Sequence, residues 1–584
     1  MATTDIRTGG PSKQAVAAAI ARGRAYLLGR QSPDGYWVGE LEADASVTAG
    51  YIPLMRFLGW PVDPSRQRKA VEQVRQAQNE DGSWSLYRGS HGDLNVSIQA
   101  CFSLRLAGVP ADEPRMVQAR EFVRSQGGVG RANVLTRIWL ALFGQFDWRY
   151  TPTIPPEVIL LPPWTGLSIY EFSSWSRATI MALALLLSRK PVCPVPESAR
   201  LDDLYTEAPD QRRYAVGQAP HTISWERLFL VLDSLLKRYE RRPLAALRRA
   251  SERRVKHWIE RHQEADGSWG GIMLPWVYSL VALKTLGYSL DHPAMQKGLQ
   301  GLEGFLLEDK VTLRLQPATS PVWDTAWAIL ALRTSGLRAD DPSLRRAGLW
   351  LLGQEVGTAG DWRIKKPKLE PGGWAFEFCN ECYPDLDDSA VVARALRSLS
   401  LAPAYEILKE QAIARARNWV VGMQSHDGGW AAFDCNCDLQ LLAHLPFADF
   451  LTPLDPTCAD VTAHVVELLA EIDRDRPALK RALAYLQRRQ EADGAWFGRW
   501  GVNYVYGTGL ALAALCRAGA GNSVSARRAA RWLTNHQNAD GGWGETCTSY
   551  NEPGLRGCGP STPSQSAWAL LGLLAAGEGR GDAV

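Results

Sequence analysis

QNADGGW, residues 537–543, is the last of six copies of one pattern: Gln, two residues, Asp, Gly, one residue, Trp. The others are QSPDGYW (31–37), QNEDGSW (78–84), QEADGSW (263–269), QSHDGGW (424–430) and QEADGAW (490–496). A looser relative, QEVGTAGDW, spans 354–362. Each copy follows a segment with apolar residues at helical spacing and basic residues on the other face, as in KRALAYLQRRQ (480–490) and ARRAARWLTNHQ (526–537). The Asp-Gly pair ends the helix, with Gly free to take a positive φ. A second apolar helix follows, such as YGTGLALAALCRAG (506–519). The unit is helix, Gly-Trp turn, helix, and such units stacked in a ring give an α-α barrel. On this reading Gln caps the end of a helix, Trp stacks over the neighbouring copy, and the repeat tryptophans are structural.

The copies fall in two groups with an irregular stretch at about 300–322 between them. The chain is therefore expected to be all-α, two α-α (toroid) barrel domains built on repeated Gln-Trp motifs. Residues 38–318 form the first barrel, and residues 1–37 with 319–584 the second. At 584 residues, 46% of them hydrophobic, the chain can bury two large cores. Lys plus Arg number 65 against 62 for Asp plus Glu, a net +3 that carries no nucleic-acid bias. The opening MATTDIRTGGPSK has no apolar core of a secretory signal. The apolar run IMALALLL (180–187) is far short of the ~18 residues of a spanning helix. Ten scattered cysteines in so long a chain imply a reducing cytosol rather than disulfide staples.

A second stretch carries chemistry. YPDLDDSA (383–390) sets Asp385, Asp387 and Asp388 within four positions, beside bulky apolar residues. Like charges so close oppose one another's ionisation. Three readings are open: a solvated turn, a cation site, or an acid that keeps its proton.

At this point the chain resembles the squalene-hopene cyclase family. The resemblance rests on the six repeats, on YPDLDDSA, and on DVTAHV (460–465), SPVWDTAWA (320–328), IYEFSSWSRAT (169–179) and WFGRWGVNYVYGTG (496–509), from about residue 15 to the end. It implies two α-α barrels around a buried cavity and attachment to one leaflet of a membrane, on the cytoplasmic face. It also implies class II cyclisation of squalene, or a related polyprenoid, to a pentacyclic triterpene such as hopene or hopanol. No cofactor and no metal are implied, and a homodimer is compatible with it. By the same match Asp387 is the proton donor, His464 with Asp460 supports it, and Asp385 and Asp388 tune and reload it through water. Trp175, Trp323, Phe376, Phe433, Trp500, Tyr506 and Tyr278 are then expected to bind substrate along the cavity wall. The segment ISWERLFLVLDSLLKRYERR (223–242) reads as an interfacial helix. Trp225, Leu228, Phe229, Leu232, Leu235 and Leu236 lie on one face and a basic end follows.

The match departs in three places. The chain stops at Val584, where the family pattern continues with a further repeat and an aromatic-rich segment; the expectation is a barrel open on one side. Thr48, Gly50, Gln99 and Met273 stand where the family has glutamates or glutamine near the far end of the cavity, and Arg137 remains, which implies a different terminating step or a different polyprenoid. Cys379 and Cys382, and Cys435 and Cys437, lie close in sequence; Cys-x-Cys spacing is poor for zinc, and buried thiols as apolar filler are expected. Two rivals remain: a zinc-dependent prenyltransferase barrel, which leaves YPDLDDSA unexplained, and a non-catalytic lipid-binding relative.

Overall fold

In the computed structural model, residues 12–217, 224–447 and 453–578 are described. The opening MATTDIRTGGP, Ile223 at the head of the amphipathic segment, and the last residues to Val584 lie outside them.

The chain is a succession of helical hairpins. Outer helices open on a proline that fixes φ where no amide partner is lost: Pro64, Pro114, Pro293, Pro342 and Pro477. Inner helices open on acidic or amide caps: Asp44, Asp93, Asn133 and Asp385 each accept a backbone amide of the first turn. Two hydrophobic cores result. One takes in residues from Ala49 to Leu315, the other Trp37 together with residues from Val322 to Leu573. In the second, the inner helices Pro321–Thr334, Leu386–Arg397, Ala459–Ile472, Tyr504–Arg517 and Pro563–Ala575 lie side by side in chain order.

The repeat residues are wired differently from the sequence expectation. Each tryptophan is pegged to its own copy, not stacked over the next. Its indole Nε1 donates to the carbonyl ten residues earlier: Trp37 to Leu27, Trp84 to Val74, Trp269 to Ile259, Trp430 to Val420, Trp496 to Leu486 and Trp543 to Leu533, at 2.6–2.8 Å. Glutamine is the residue that reaches the neighbour. Gln490 Nε2 donates to the Gly494 carbonyl of its own turn (2.8 Å) and to Ser525 (2.9 Å) in the first turn of the following outer helix. Gln31, Gln78, Gln263 and Gln424 do the same, to Ser343, Arg115, Ala294 and Ala478. The turn glycine is required: Gly267 has φ +92°, and a Cβ there would meet the Lys297 carbonyl oxygen at 2.1 Å.

Two further differences concern local structure. The stretch at 300–322 is not wholly irregular, since Leu306–Glu308 and Leu313–Leu315 pair as an antiparallel hairpin. The looser repeat also has another register. Trp374, not Trp362, is its peg: Trp374 Nε1 donates to Leu351 (2.7 Å), 23 residues back, and its amide donates to Ser389 Oγ (2.9 Å). Trp37, Trp84, Trp430, Trp496 and Trp543 make the same amide bond to a hydroxyl, on Thr325, Ser97, Thr462, Thr508 and Ser566. Trp362 donates to the Cys382 carbonyl instead.

Candidate active site

The acid stretch begins the Leu386–Arg397 helix. Asp385 pairs with Trp374 through an isolated bridge, with extended backbone, and its Oδ1 accepts the Asp388 amide at 2.6 Å. It is thus the N-cap, and Asp387 and Asp388 fall in the first turn, where free amides and the helix dipole favour negative charge. The Leu386 amide donates to the Ala432 carbonyl (2.8 Å), which fixes the helix start against the Gly-Trp turn of the next copy.

Asp387 points to the neighbouring inner helix. Its Oδ1 lies 2.5 Å from His464 Nδ1. The imidazole is fully buried, with the rings of Trp323 and Trp327 edge-on at 5.7 and 5.8 Å. Among the described residues its Nε2 has no hydrogen-bond partner, and neither has Oδ1 of the buried Asp388. Burial alone would depress the His464 imidazole, but the Asp387 charge and hydrogen bond outweigh it and hold the ring above its ordinary value. Burial raises Asp385 to about 7, against the two bonds it accepts from Asp388. Asp388 goes up further, through burial and then the Asp385 charge. His464 faces Asp387, so for Asp385 and Asp388 protonation limits the buried charge.

The structure gives Asp460 a different place from the one expected. Its carboxylate accepts the amides of Arg499 and Trp500 (2.8 Å each) and of Val461 (3.1 Å). It thereby holds the loop that carries Trp500, one turn of helix before His464.

The expected wall residues form two groups. Trp175, Phe433 and Trp500 meet edge-to-face at 5.6–6.1 Å, and Trp500 keeps 46% of its surface accessible. Trp323 and Tyr506 belong to a second group around His464, completed by Trp327 and Trp568, with ring centroids 5.2–5.8 Å apart. Phe376 is half-buried between Trp374 and the acid helix in sequence, and it pairs with neither group. Tyr278 lies in the first core, its ring 6.2 Å from Trp139. Trp327 and Trp568 were missed. Trp327 was legible, being one turn after Trp323 on the same helix; Trp568 gave no signal, because its neighbours come from remote parts of the chain. Tyr383 also went unread. Its hydroxyl donates to Asp434 (2.5 Å) and accepts from Arg177 (2.6 Å).

At the far end, Thr48 Oγ1 accepts the Leu315 amide (3.1 Å), Gln99 donates to Thr136 (3.1 Å) and Arg137 donates to the Gly130 and Ala215 carbonyls. Met273 is buried. The cysteines are free; burial pushes Cys379 and Cys382 to about 11, and Cys437 Sγ donates to the Glu171 carbonyl. These are thiols rather than metal-ready thiolates.

Family models described as the squalene-hopene cyclase N-terminal and C-terminal domains match residues 20–311 and 319–584. A squalene–hopene cyclase of Alicyclobacillus acidocaldarius is 44% identical over 574 residues, covering 97% of this chain and 89% of the relative. A dammaradiene synthase of Dryopteris crassirhizoma is 40% identical over 96% of this chain and 85% of its own length. A squalene–hopene cyclase of Zymomonas mobilis is 38% identical over 97% and 87%. An all-helical double barrel holding a buried aspartate cluster against an imidazole is an enzyme of the terpene cyclase type. The chain belongs to the squalene-hopene cyclase family.

Proposed function

We propose that Asp387 protonates a terminal double bond of squalene and so starts a class II cyclisation to a pentacyclic triterpene such as hopene. An alkene is a very weak base, and a carboxyl in water, with pKa near ~4, is ionised at neutral pH. The remedy lies in the surroundings of Asp387. Buried Asp385 and Asp388 disfavour further negative charge, so a proton is kept in the cluster. The His464 imidazolium donates through Nδ1–H to Oδ1 and stabilises the carboxylate as the proton leaves. The observation that carries this reading is the 2.5 Å contact between Asp387 and His464 beneath two tryptophans.

The carbocation then needs negative charge without a nucleophile. Aromatic faces supply it, each worth roughly 0.5–2 kcal/mol. Trp323, Trp327, Trp568 and Tyr506 serve the first ring, and Trp175, Phe433 and Trp500 later ones. Asp385 and Asp388 reload the donor, and Asp460 acts through the position of Trp500. Domain boundaries at 38–318 and 319–584, with the N-terminal segment assigned to the second unit, accord with the division of the two cores.

Squalene is a membrane solute, and the enzyme is placed on the cytoplasmic face of one leaflet. Among the described residues no helix is long and apolar enough to cross a membrane. The Trp225–Arg241 helix turns Trp225, Leu228, Val231, Leu232 and Leu235 outward, each about half exposed, and ends on Arg238 and Arg241. Phe229 and Leu236 belong to its other face, contrary to the sequence reading. They line an apolar cavity of about 290 Å³ with Ile138, Leu183 and Phe447, a route for a hydrocarbon from the bilayer.

The far end supports a second reading of the product. Thr48 and Gln99 spend their polar groups on neighbours, and Met273 is apolar, so a terminating step other than water capture or hopene-forming proton loss is favoured. Incubating the detergent-solubilised protein with squalene and with shorter polyprenes, followed by gas chromatography, tests both. A pentacyclic product supports the first reading, an alkene of another skeleton the second, and no cyclic product from any polyprene overturns both.

A further inference from the structure

Two carboxyl groups near the acid helix are left unused by this mechanism. Glu377, 4% exposed, has one side-chain hydrogen-bond partner, Asn380 Nδ2 at 3.5 Å. Its position is enforced: Gly271 across from it has φ +61°, and a Cβ there would meet the Glu377 Cγ at 2.2 Å. The second is Glu264, in the repeat turn of the first domain. It is clasped to Glu381 on the second: the Glu381 amide donates to Glu264 Oε2 (3.1 Å), and the Ala265 amide donates to Glu381 Oε1 (3.0 Å). Glu381 is exposed to solvent.

Glu264 and Glu377 open into one cavity of about 60 Å³. His262, Asp361 and Asn380 line it too, and its apolar side is formed by Trp175 and Phe433. A water needs about 10–15 Å³ of such space and two to four polar partners, so between turnovers, with no substrate against Trp175 and Phe433, the cavity suits a short file of waters. It runs from Glu264, whose partner Glu381 faces solvent, to the buried Glu377, which feels the Asp385 charge.

We propose that Glu381, Glu264 and Glu377 form a proton inlet that reloads the donor after each turnover. The inlet rests on the reading of Asp387 as donor. Asp387 gives its proton to the alkene, and the terminating step releases one elsewhere. A proton then enters from solvent at Glu381 and passes to Glu264, crosses the cavity waters to Glu377, and returns through Asp385 to Asp387. One proton enters for each one spent, and no bond other than O–H changes in the inlet.

The electrostatics accord with the geometry. Burial and then the Glu381 contact raise Glu264 to about 10. Burial raises Glu377 to about 8, with the Asp385 and Asp266 charges adding to it and backbone and Asn380 bonds opposing. Asp385 stands at about 7. Glu264 and Glu377 hold protons near neutral pH and Asp385 is about half protonated, whereas the exposed Glu381, held low by its bond to Glu264, is the carboxylate that takes up a proton from solvent. On the cavity's other side Asp361 is held low despite burial by His262 and Arg177, so it stays a fixed anion rather than a carrier.

The test compares a single turnover, enzyme in excess and loaded at low pH, with steady-state kcat for Glu377→Gln and Glu264→Gln, both near-isosteric. In both variants steady-state kcat is expected to fall about tenfold or more, with a larger solvent deuterium effect, while the first turnover keeps most of its rate. Glu377→Asp is expected to restore part of the steady-state loss. Equal losses in both phases, or none in either, overturn the inlet. Should Glu377→Gln fail to fold, Glu264→Gln carries the same comparison. A wild-type protein with no first turnover would instead remove the donor assignment, which separates the two failures.

Discussion

Six Gly-Trp turns and the seventh, which leads into the acid helix, are built on one plan and differ in one respect. In the six, the indole reaches back ten residues to its own helix, as Trp430 does to Val420. In the seventh, Trp374 makes the same peg and the same amide bond to a hydroxyl, but across 23 residues. The additional residues carry Asp361, which meets Arg177 (3.5 Å) and His262 (3.2 Å), and Trp362. The regular turns spend their glutamine and indole on backbone carbonyls. The opened turn is followed by Glu377, Asp385 and Asp388, all shifted toward the protonated form by burial. The repeat plan holds the ring, and chemistry occupies the place where the plan is stretched.

The sharpest way to break this contrast is at the donor. Asp387→Asn is expected to abolish product formation while circular dichroism and the melting temperature stay near wild type; retained turnover would remove Asp387 from the mechanism. His464→Ala is expected to lower kcat by about 10²–10⁴-fold, the usual range for a lost acid–base partner; an unchanged rate would reduce His464 to a packing residue.

Stability against pH gives a smaller effect with a definite sign. Glu377 at about 8, Asp385 at about 7 and Asp455 at about 6 all lie above the ~4 of an unfolded carboxyl. The folded state therefore binds more protons than the unfolded state between about pH 4 and 8, and stability falls as pH rises through that window. The raised His464 acts in the same direction, its contribution lost as pH rises through its folded value. Thermal melts should drop from pH 5 to pH 8, with a flatter slope in Glu377→Gln; a rising profile would contradict the assignment. Last, Trp496→Phe leaves the Leu486 carbonyl unpaired in the core and should cost about 1–3 kcal/mol by denaturant unfolding. Gln354→Ala, in the opened turn where no side-chain bond like that of Gln490 is made, should stay within about 0.5 kcal/mol. Equal costs would erase the distinction between the two kinds of turn.

Helices and their ring arrangement were legible, because the Gln-to-Trp period repeats and the apolar spacing is helical. The direction of the bonds was not. A period says that Gln and Trp recur; it does not say that Gln spans two hairpins while Trp serves one. The register of the seventh turn was misread because QEVGTAGDW keeps the Gln and a Trp, whereas the peg is set by Gly373-Trp374 and Ser389, eleven or more residues on. In the site, Asp387 and His464 followed from motif order. Trp568 and Glu264 did not, since each meets the site only through tertiary packing. The outward face of the Trp225–Arg241 helix was half right: helical spacing cannot tell which of two apolar stripes packs inward when the residues alternate as closely as Leu228 and Phe229.

The glutamine bridge at the N-terminus has a consequence for biosynthesis. Gln31 donates to Ser343, 312 residues further along the chain. At a synthesis rate of about 5–20 residues per second, that partner emerges roughly 15–60 s later. The Lys13–Arg30 helix is thus among the first segments made, yet the turn that follows it cannot close until the second core has begun to emerge. During that interval Gln31 and the indole-bearing Trp37, whose partners Ser343 and Thr325 are not yet made, are left uncovered, so the nascent chain, rather than the finished enzyme, is where a chaperone would be most needed.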